Sequence, residues 1–238
     1  MGISRKYEDA LPALPAVVGE LDEIVEGAPG SSGGVLPGTI LLDGEFTEKA
    51  MEDQLRGQHQ VLHIASHFVF KPGDDSQSYL LLAGKDESTG GFHLTVADFN
   101  SDRNLNLRRT DLLTLSACET GMSGSASNGR EVDGLGTTAQ LKGAKAVISS
   151  LWEVDDVSTG QLMGDFYKRW ADGKGKVAKV EALRQAQLDL LHGKVKAEGE
   201  ANGRGIATEP EQGGEQPRAA GFAHPYYWAP FVLMGNWR

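Results

Sequence analysis

Apolar positions in this chain cluster in short runs divided by polar and glycine-rich stretches. Runs of strand length occur at Thr39–Leu42, Val61–Phe68, Tyr79–Ala83, Leu112 to Leu115 and Ala144–Trp152. Short apolar runs bounded by Gly, Pro, Ser or Asp read as buried strands. Helical spacing marks Leu14–Val25, Leu135–Lys142, Ser158–Trp170 and Val177–Leu191. Pro15 suits a first helical turn. Thr47 predicts an N-cap for a helix over Glu48–Leu55, with Glu48 favourably placed at its positive end. Leu94–Phe99 predicts a helical turn, and a final strand is expected within His224–Gly235. Strands alternating with helices predict an α/β fold with a mostly parallel sheet.

Glycine-rich segments at 27–34 and 121–129 predict loops. Residues 193–221 hold seven glycines among Glu, Gln and Lys, with little that is apolar. Such a segment lacks the surface to offset chain entropy, so a flexible insertion is expected. The 238 residues are 39% hydrophobic, enough for a packed core. A net charge of −10 argues against a nucleic-acid binder, which needs a basic face to displace counterions. No run reaches the ~18 apolar residues of a membrane span. The opening residues, M-G-I-S-R-K-Y-E-D-A-L-P, lack the apolar centre of a signal peptide. One cysteine forms no intrachain disulfide and no multi-cysteine zinc site, so a reducing cytoplasm is the expected compartment.

That lone cysteine is the centre of the chemistry. Cys118 follows the Leu112 run, at the carboxyl edge where open α/β sheets carry their sites. His67 ends the Val61 run, 51 residues upstream. A cysteine with a histidine some 50 residues before it has the spacing of a caspase-type nucleophile and base. The thiol needs a base to become thiolate, and the leaving amine needs an acid; His67 suits both steps. Oxyanion donors are expected from the backbone N–H of Cys118 and one near Phe68. The alternative is that Cys118 is inert core, the commonest fate of a lone cysteine. His63 and His67 form H-x-x-x-H, but on a strand they stand ~13 Å apart. His63 therefore reads as a core histidine, with no metal and no other cofactor expected. Gly134-Leu135-Gly136 lacks the third glycine of a dinucleotide loop.

Five segments together resemble the CHAT family of caspase-like domains: V-L-H-I-A-S-H-F, L-L-T-L-S-A-C-E-T-G, G-A-K-A-V-I-S-S-L-W-E-V-D-D, A-L-R-Q-A-Q and H-P-Y-Y-W-A-P-F-V-L-M-G. They span about residues 60 to 235, in the family's order. The resemblance implies a caspase-like α/β/α sandwich related to caspase, gingipain and separase, with a Cys/His dyad at Cys118 and His67. It implies a protein substrate and an association with tetratricopeptide repeats, while charge and run length leave no nucleic acid or membrane expected as partner. Asp156 matches an acidic position that in separase helps hold a P1 arginine, with Glu153 and Asp155 beside it. A carboxylate there binds a guanidinium, so cleavage after Arg or Lys is expected. Alternatively, Asp155 or Asp156 caps the helix beginning near Ser158.

Two departures stand out. Many members carry Gly after the histidine, where this chain has Phe68, which would narrow or gate the cleft. The family's L-P-A-L-P-like segment begins at residue 11, so residues 1–238 are expected to be one such domain without its front strands. A catalytically silent scaffold is the competing reading, and a small-molecule acyltransferase or hydrolase using the same thiol is a third.

Overall fold

The computed structural model describes residues 1–27, 33–57, 59–71, 73–84, 90–102, 104–119, 135–152, 154–173, 175–194 and 221–238. One sheet contains β1 (Val61–Val69), β2 (Tyr79–Ala83), β3 (Gly91–Thr95), β4 (Leu112–Glu119), β5 (Ala146–Ser150) and β6 (Phe231–Gly235). The order across it is β3-β2-β1-β4-β5-β6. The central pairs β1–β4 and β4–β5 are parallel, while β1–β2, β2–β3 and β5–β6 are antiparallel. The mostly parallel sheet expected from the sequence is thus parallel at its centre and antiparallel towards both edges.

Central parallel strands are covered on both faces and so read as unbroken apolar runs. In β1 every residue after Val61 is buried. One face carries Leu62, Ile64 and Phe68. These join a cluster with Met51 and Leu55 of α2 (Glu48–Arg56), Phe99 of α3 (Val96–Ser101), and Leu135 and Ala139 of α4 (Leu135–Leu141). On the other face, Leu112, Ala146 and Ile148 meet α5 (Asp156–Asp172) through Leu162, Met163, Phe166 and Tyr167. There they also meet α6 (Lys179–Leu191) through Leu183, Ala186 and Leu190. Ala65 packs on Leu14, Val17 and Leu21 at α1 (Ala16–Ile24). The result is a three-layer α/β/α arrangement. Each fully buried side chain of the Leu162 or Phe166 kind contributes about 1.5–3 kcal/mol.

Helices α1 and α5 approach through the glycines of α5. A Cβ at Gly160 would lie 3.5 Å from Glu20 Cβ, an ordinary contact, whereas one at Gly164 would sit 1.8 Å from Glu23 Oε2. Thr47 caps α2 as its position predicts, its Oγ1 accepting from Ala50 N at 3.2 Å. A short helix, α7 (Pro225–Trp228), precedes β6, with His224 Nδ1 accepting from Tyr226 N. No helix among the described residues is long and apolar enough to cross a membrane.

Several expectations need correction. Thr39–Leu42 forms no strand of the sheet; Leu42 makes only an isolated bridge to Gly2, which also bridges to Ala65. Leu94 and Thr95 belong to β3, and the helix starts only at Val96, where Thr95 Oγ1 accepts from Asp98 N. Pro15 is the N-cap of α1 and so precedes its first turn. Strand β1 does not stop at His67 but continues to Val69, because β2 pairs with Phe68 and Val69. The insertion expected at 193–221 lies outside the described residues beyond 194, apart from Gly221.

Candidate active site

Strands β1 and β4 carry the two residues singled out by the sequence. Their parallel ladder runs from Val61↔Leu112 to Phe68↔Glu119 and sets His67 opposite Cys118. Neighbouring strands lie ~4.8 Å apart, so the two backbones are adjacent although 51 positions separate them. The side chains of residues 117–119 lie outside the description, as do residues 120–134 and Glu153.

His67 is 1% exposed and sits on the face that carries Ala65 and meets α1. Its Nε2 is 2.8 Å from the carbonyl oxygen of Pro12. A carbonyl only accepts, so Nε2 carries the proton, and in the neutral ring the lone pair is on Nδ1. The segment 11–15 covers the ring: Leu11 and Leu14 are buried, and Leu14 N donates to Ser4 O at 3.0 Å. Nothing in the sequence pattern signals Pro12, since the interaction uses a backbone carbonyl 55 residues from His67.

Phe68 does not enter this side of the sheet. Adjacent strand residues point to opposite faces, and Phe68 packs in the α2–α4 cluster, stacked on Phe70 with ring centroids 6.3 Å apart. The expected narrowing of the cleft by its ring is therefore corrected: Phe68 is core. Its backbone lies between β2 and β4, opposite Leu80 and Glu119.

The two acidic residues after β5 take different positions. Asp155 is the N-cap of α5, its Oδ1 accepting from Ser158 N at 2.9 Å. The helix thus starts at Asp156 rather than near Ser158. Asp156 reaches across to α1, its Oδ2 accepting from Ala16 N at 2.7 Å. Burial raises the Asp156 carboxyl to about 6; the nearby charges of Glu20 and Asp155 push the same way, and the Ala16 hydrogen bond opposes them. Asp156 is partly exposed at the carboxyl end of β5, on the same sheet edge as His67.

Behind the site lies a buried polar group that the sequence pattern did not disclose. Tyr167 Oη is 2.7 Å from Thr114 Oγ1 and 3.3 Å from His63 Nδ1. Glu20 Oε1 is 2.9 Å from His63 Nε2, with both side chains almost wholly buried. His63 is thus a core histidine held by polar neighbours. Burial pushes the Tyr167 hydroxyl far above its ordinary value, so it stays protonated. Among the described residues, no group of three or more His, Cys, Asp or Glu is placed to hold a metal ion.

His67, donating through Nε2, thus lies beside the backbone of Cys118 on the next parallel strand. Comparison with curated proteins gives no match. The sequence matches the CHAT domain over residues 4–236, nearly its whole length. With its α/β/α layering and centrally parallel sheet, the chain belongs to the CHAT domain family, whose fold is caspase-like and peptidase-related.

Proposed function

We propose that the chain is a cysteine endopeptidase that cuts proteins after a basic residue, Arg before Lys. The observation that carries this reading is the β1–β4 register, which sets His67 opposite Cys118. Nδ1 of His67 takes the thiol proton, and the thiolate adds to the scissile carbonyl. The C–N bond then breaks as the imidazolium returns its proton to the departing amine, leaving a thioester on Cys118. Water, deprotonated by the same ring, releases the acid product and restores the thiol. The Pro12 carbonyl supports this cycle by accepting from Nε2, which keeps Nδ1 available and favours the charged ring midway.

Asp156, with Glu153 beside it in sequence, is the proposed partner of the basic side chain. Its partial exposure at the sheet edge supports that role. Asp155 is better read as a cap than as a substrate contact. The backbone N–H of Cys118 and one near Phe68 remain the proposed oxyanion donors. A reducing cytoplasm suits the single thiol, and a tetratricopeptide-repeat region is the proposed partner.

The burial of His67 at 1% exposure favours a second reading, a silent caspase-like scaffold in which the pair is never reached by substrate. Incubation with an arginyl fluoromethylketone separates the two. The peptidase reading expects one adduct on Cys118 in the wild-type chain and none after Cys118→Ala. A wild-type chain that stays unlabelled, with no cleavage of arginyl peptides, supports the scaffold.

A further inference from the structure

We propose that Asp156 is a positioning residue for His67, acting through the backbone of residues 12–16. The proposal rests on reading His67 as the proton-transfer group. It adds a role for Asp156 that is separate from meeting a basic substrate side chain. The chain from Pro12 to Ala16 is tied at both ends to that chemistry: the Pro12 carbonyl accepts from His67 Nε2 at 2.8 Å, and the Ala16 N–H donates to Asp156 Oδ2 at 2.7 Å. Four peptide units span at most ~14 Å. Pro12 and Pro15 stiffen this short strap by fixing φ. Between the ends, Leu14 is buried against Ala65, two residues before His67 on the same strand.

The need for Asp156 follows from local helix physics. The first N–H groups of a helix have no partner within it. Pro15, the N-cap of α1, supplies no side-chain acceptor. Asp156 therefore caps α1 from another helix, at a sequence distance of 140. A carboxyl oxygen accepts here in either charge state, the Ala16 hydrogen bond favouring the anion while burial works against it. Removing the acceptor releases the Ala16 end of the strap, and the Pro12 carbonyl loses its fixed position over His67. The imidazole is then free to populate the other tautomer, which lacks the Nδ1 lone pair.

Two substitutions separate this role from charge recognition. Asp156→Asn keeps a carbonyl oxygen for Ala16 but removes the charge, whereas Asp156→Ala removes both. The measurement is the ring 15N NMR spectrum of His67, assigned by its loss in His67→Gln. The expected result is an Nε2–H tautomer in wild type and Asp156→Asn, and signals displaced towards a tautomer mixture in Asp156→Ala. In turnover of an arginyl peptide at saturation, Asp156→Ala should have kcat about 10-fold below that of Asp156→Asn. The unmutated chain gives a second reading: the Ala16 amide signal should titrate with Asp156, near about 6. A His67 spectrum unchanged in Asp156→Ala, one displaced equally in Asp156→Asn, or an Ala16 amide that does not follow the Asp156 titration at whatever pH that occurs overturns the proposal. If His67 responds as expected while the wild-type chain cleaves nothing, the peptidase reading fails and the strap linkage stands.

Discussion

Tyr167 on α5 and Thr114 on β4 share a 2.7 Å hydrogen bond inside the core, 53 positions apart. The bond joins a helix of one layer to the strand that carries Cys118. Tyr167→Phe keeps the ring packing but leaves the Thr114 hydroxyl and His63 Nδ1 without that partner. An unsatisfied buried polar group costs about 1–3 kcal/mol. Urea unfolding should show a loss of that size, with the midpoint moving and the slope unchanged; an unaltered midpoint would mean the bond contributes nothing.

Phe68 directly follows His67, yet its side chain is buried in the α2–α4 cluster. Phe68→Ala should therefore cost about 3–5 kcal/mol, as truncations of buried aromatics do. It should not widen access to His67. Thermal unfolding read together with the rate of arginyl-probe labelling checks both halves. Faster labelling at unchanged stability would return Phe68 to the cleft.

The proposed peptidase mechanism makes unequal demands on Cys118 and His67. Cys118→Ala should abolish peptide cleavage, because no nucleophile remains. His67→Ala should lower kcat/KM by about 10²–10⁴, the usual contribution of a general acid–base group. Raising the pH should partly restore the His67→Ala variant, since hydroxide then ionises the thiol. Initial rates on an arginyl peptide across the pH range report this, and a His67→Ala enzyme with wild-type rates would remove the histidine from the mechanism.

Asp156 predicts a pH dependence of stability. Its carboxyl is raised in the folded chain from an ordinary 3.8 to about 6. Between those values the folded state holds a proton that the unfolded state has released, so this group's contribution to stability is complete below the lower value. It is lost as pH rises through the upper one. Solvent screening at this half-exposed carboxyl limits the effect to ~1 kcal/mol. Asp156→Asn should remove the dependence, matching wild type in acid and exceeding its stability above neutrality. Denaturant titrations at several pH values decide it, and parallel curves for the two chains would contradict the assigned shift.

Compared with Gly164, one turn further along α5, Gly160 offers the larger gain. A methyl group there meets only ordinary contacts, and alanine is favoured over glycine within a helix by about 0.8–1 kcal/mol. Gly160→Ala should raise the melting temperature by about 2–4 °C. Gly164→Ala requires Glu23 to move aside and should gain less. Differential scanning calorimetry of both variants tests the ordering.

What the sequence disclosed was mostly local. Five of the six strands lie on runs or segments marked by apolar patterning, and the α2 cap was readable from Thr47 because a cap acts within three residues. Thr39–Leu42 has strand composition but no ladder to join, and β3 contains glycine and histidine that weaken its pattern. The side on which Phe68 packs was implied by strand alternation, once His67 is placed facing α1. The ties from Pro12 to His67 and from Ala16 to Asp156 have no such signature. Each uses a backbone group of no particular residue type, at separations of 55 and 140.

The parallel pairing of β1 with β4 also acts as a ruler. Shifting one strand by a single residue would turn its whole set of side chains to the opposite layer. After such a slip His67 would lie opposite Ala117 or Glu119, and every apolar residue of β1 would be displaced with it. Bringing His67 level with Cys118 and forming the core are thus a single event, so a chain that packs its sheet in register has already brought the two residues side by side.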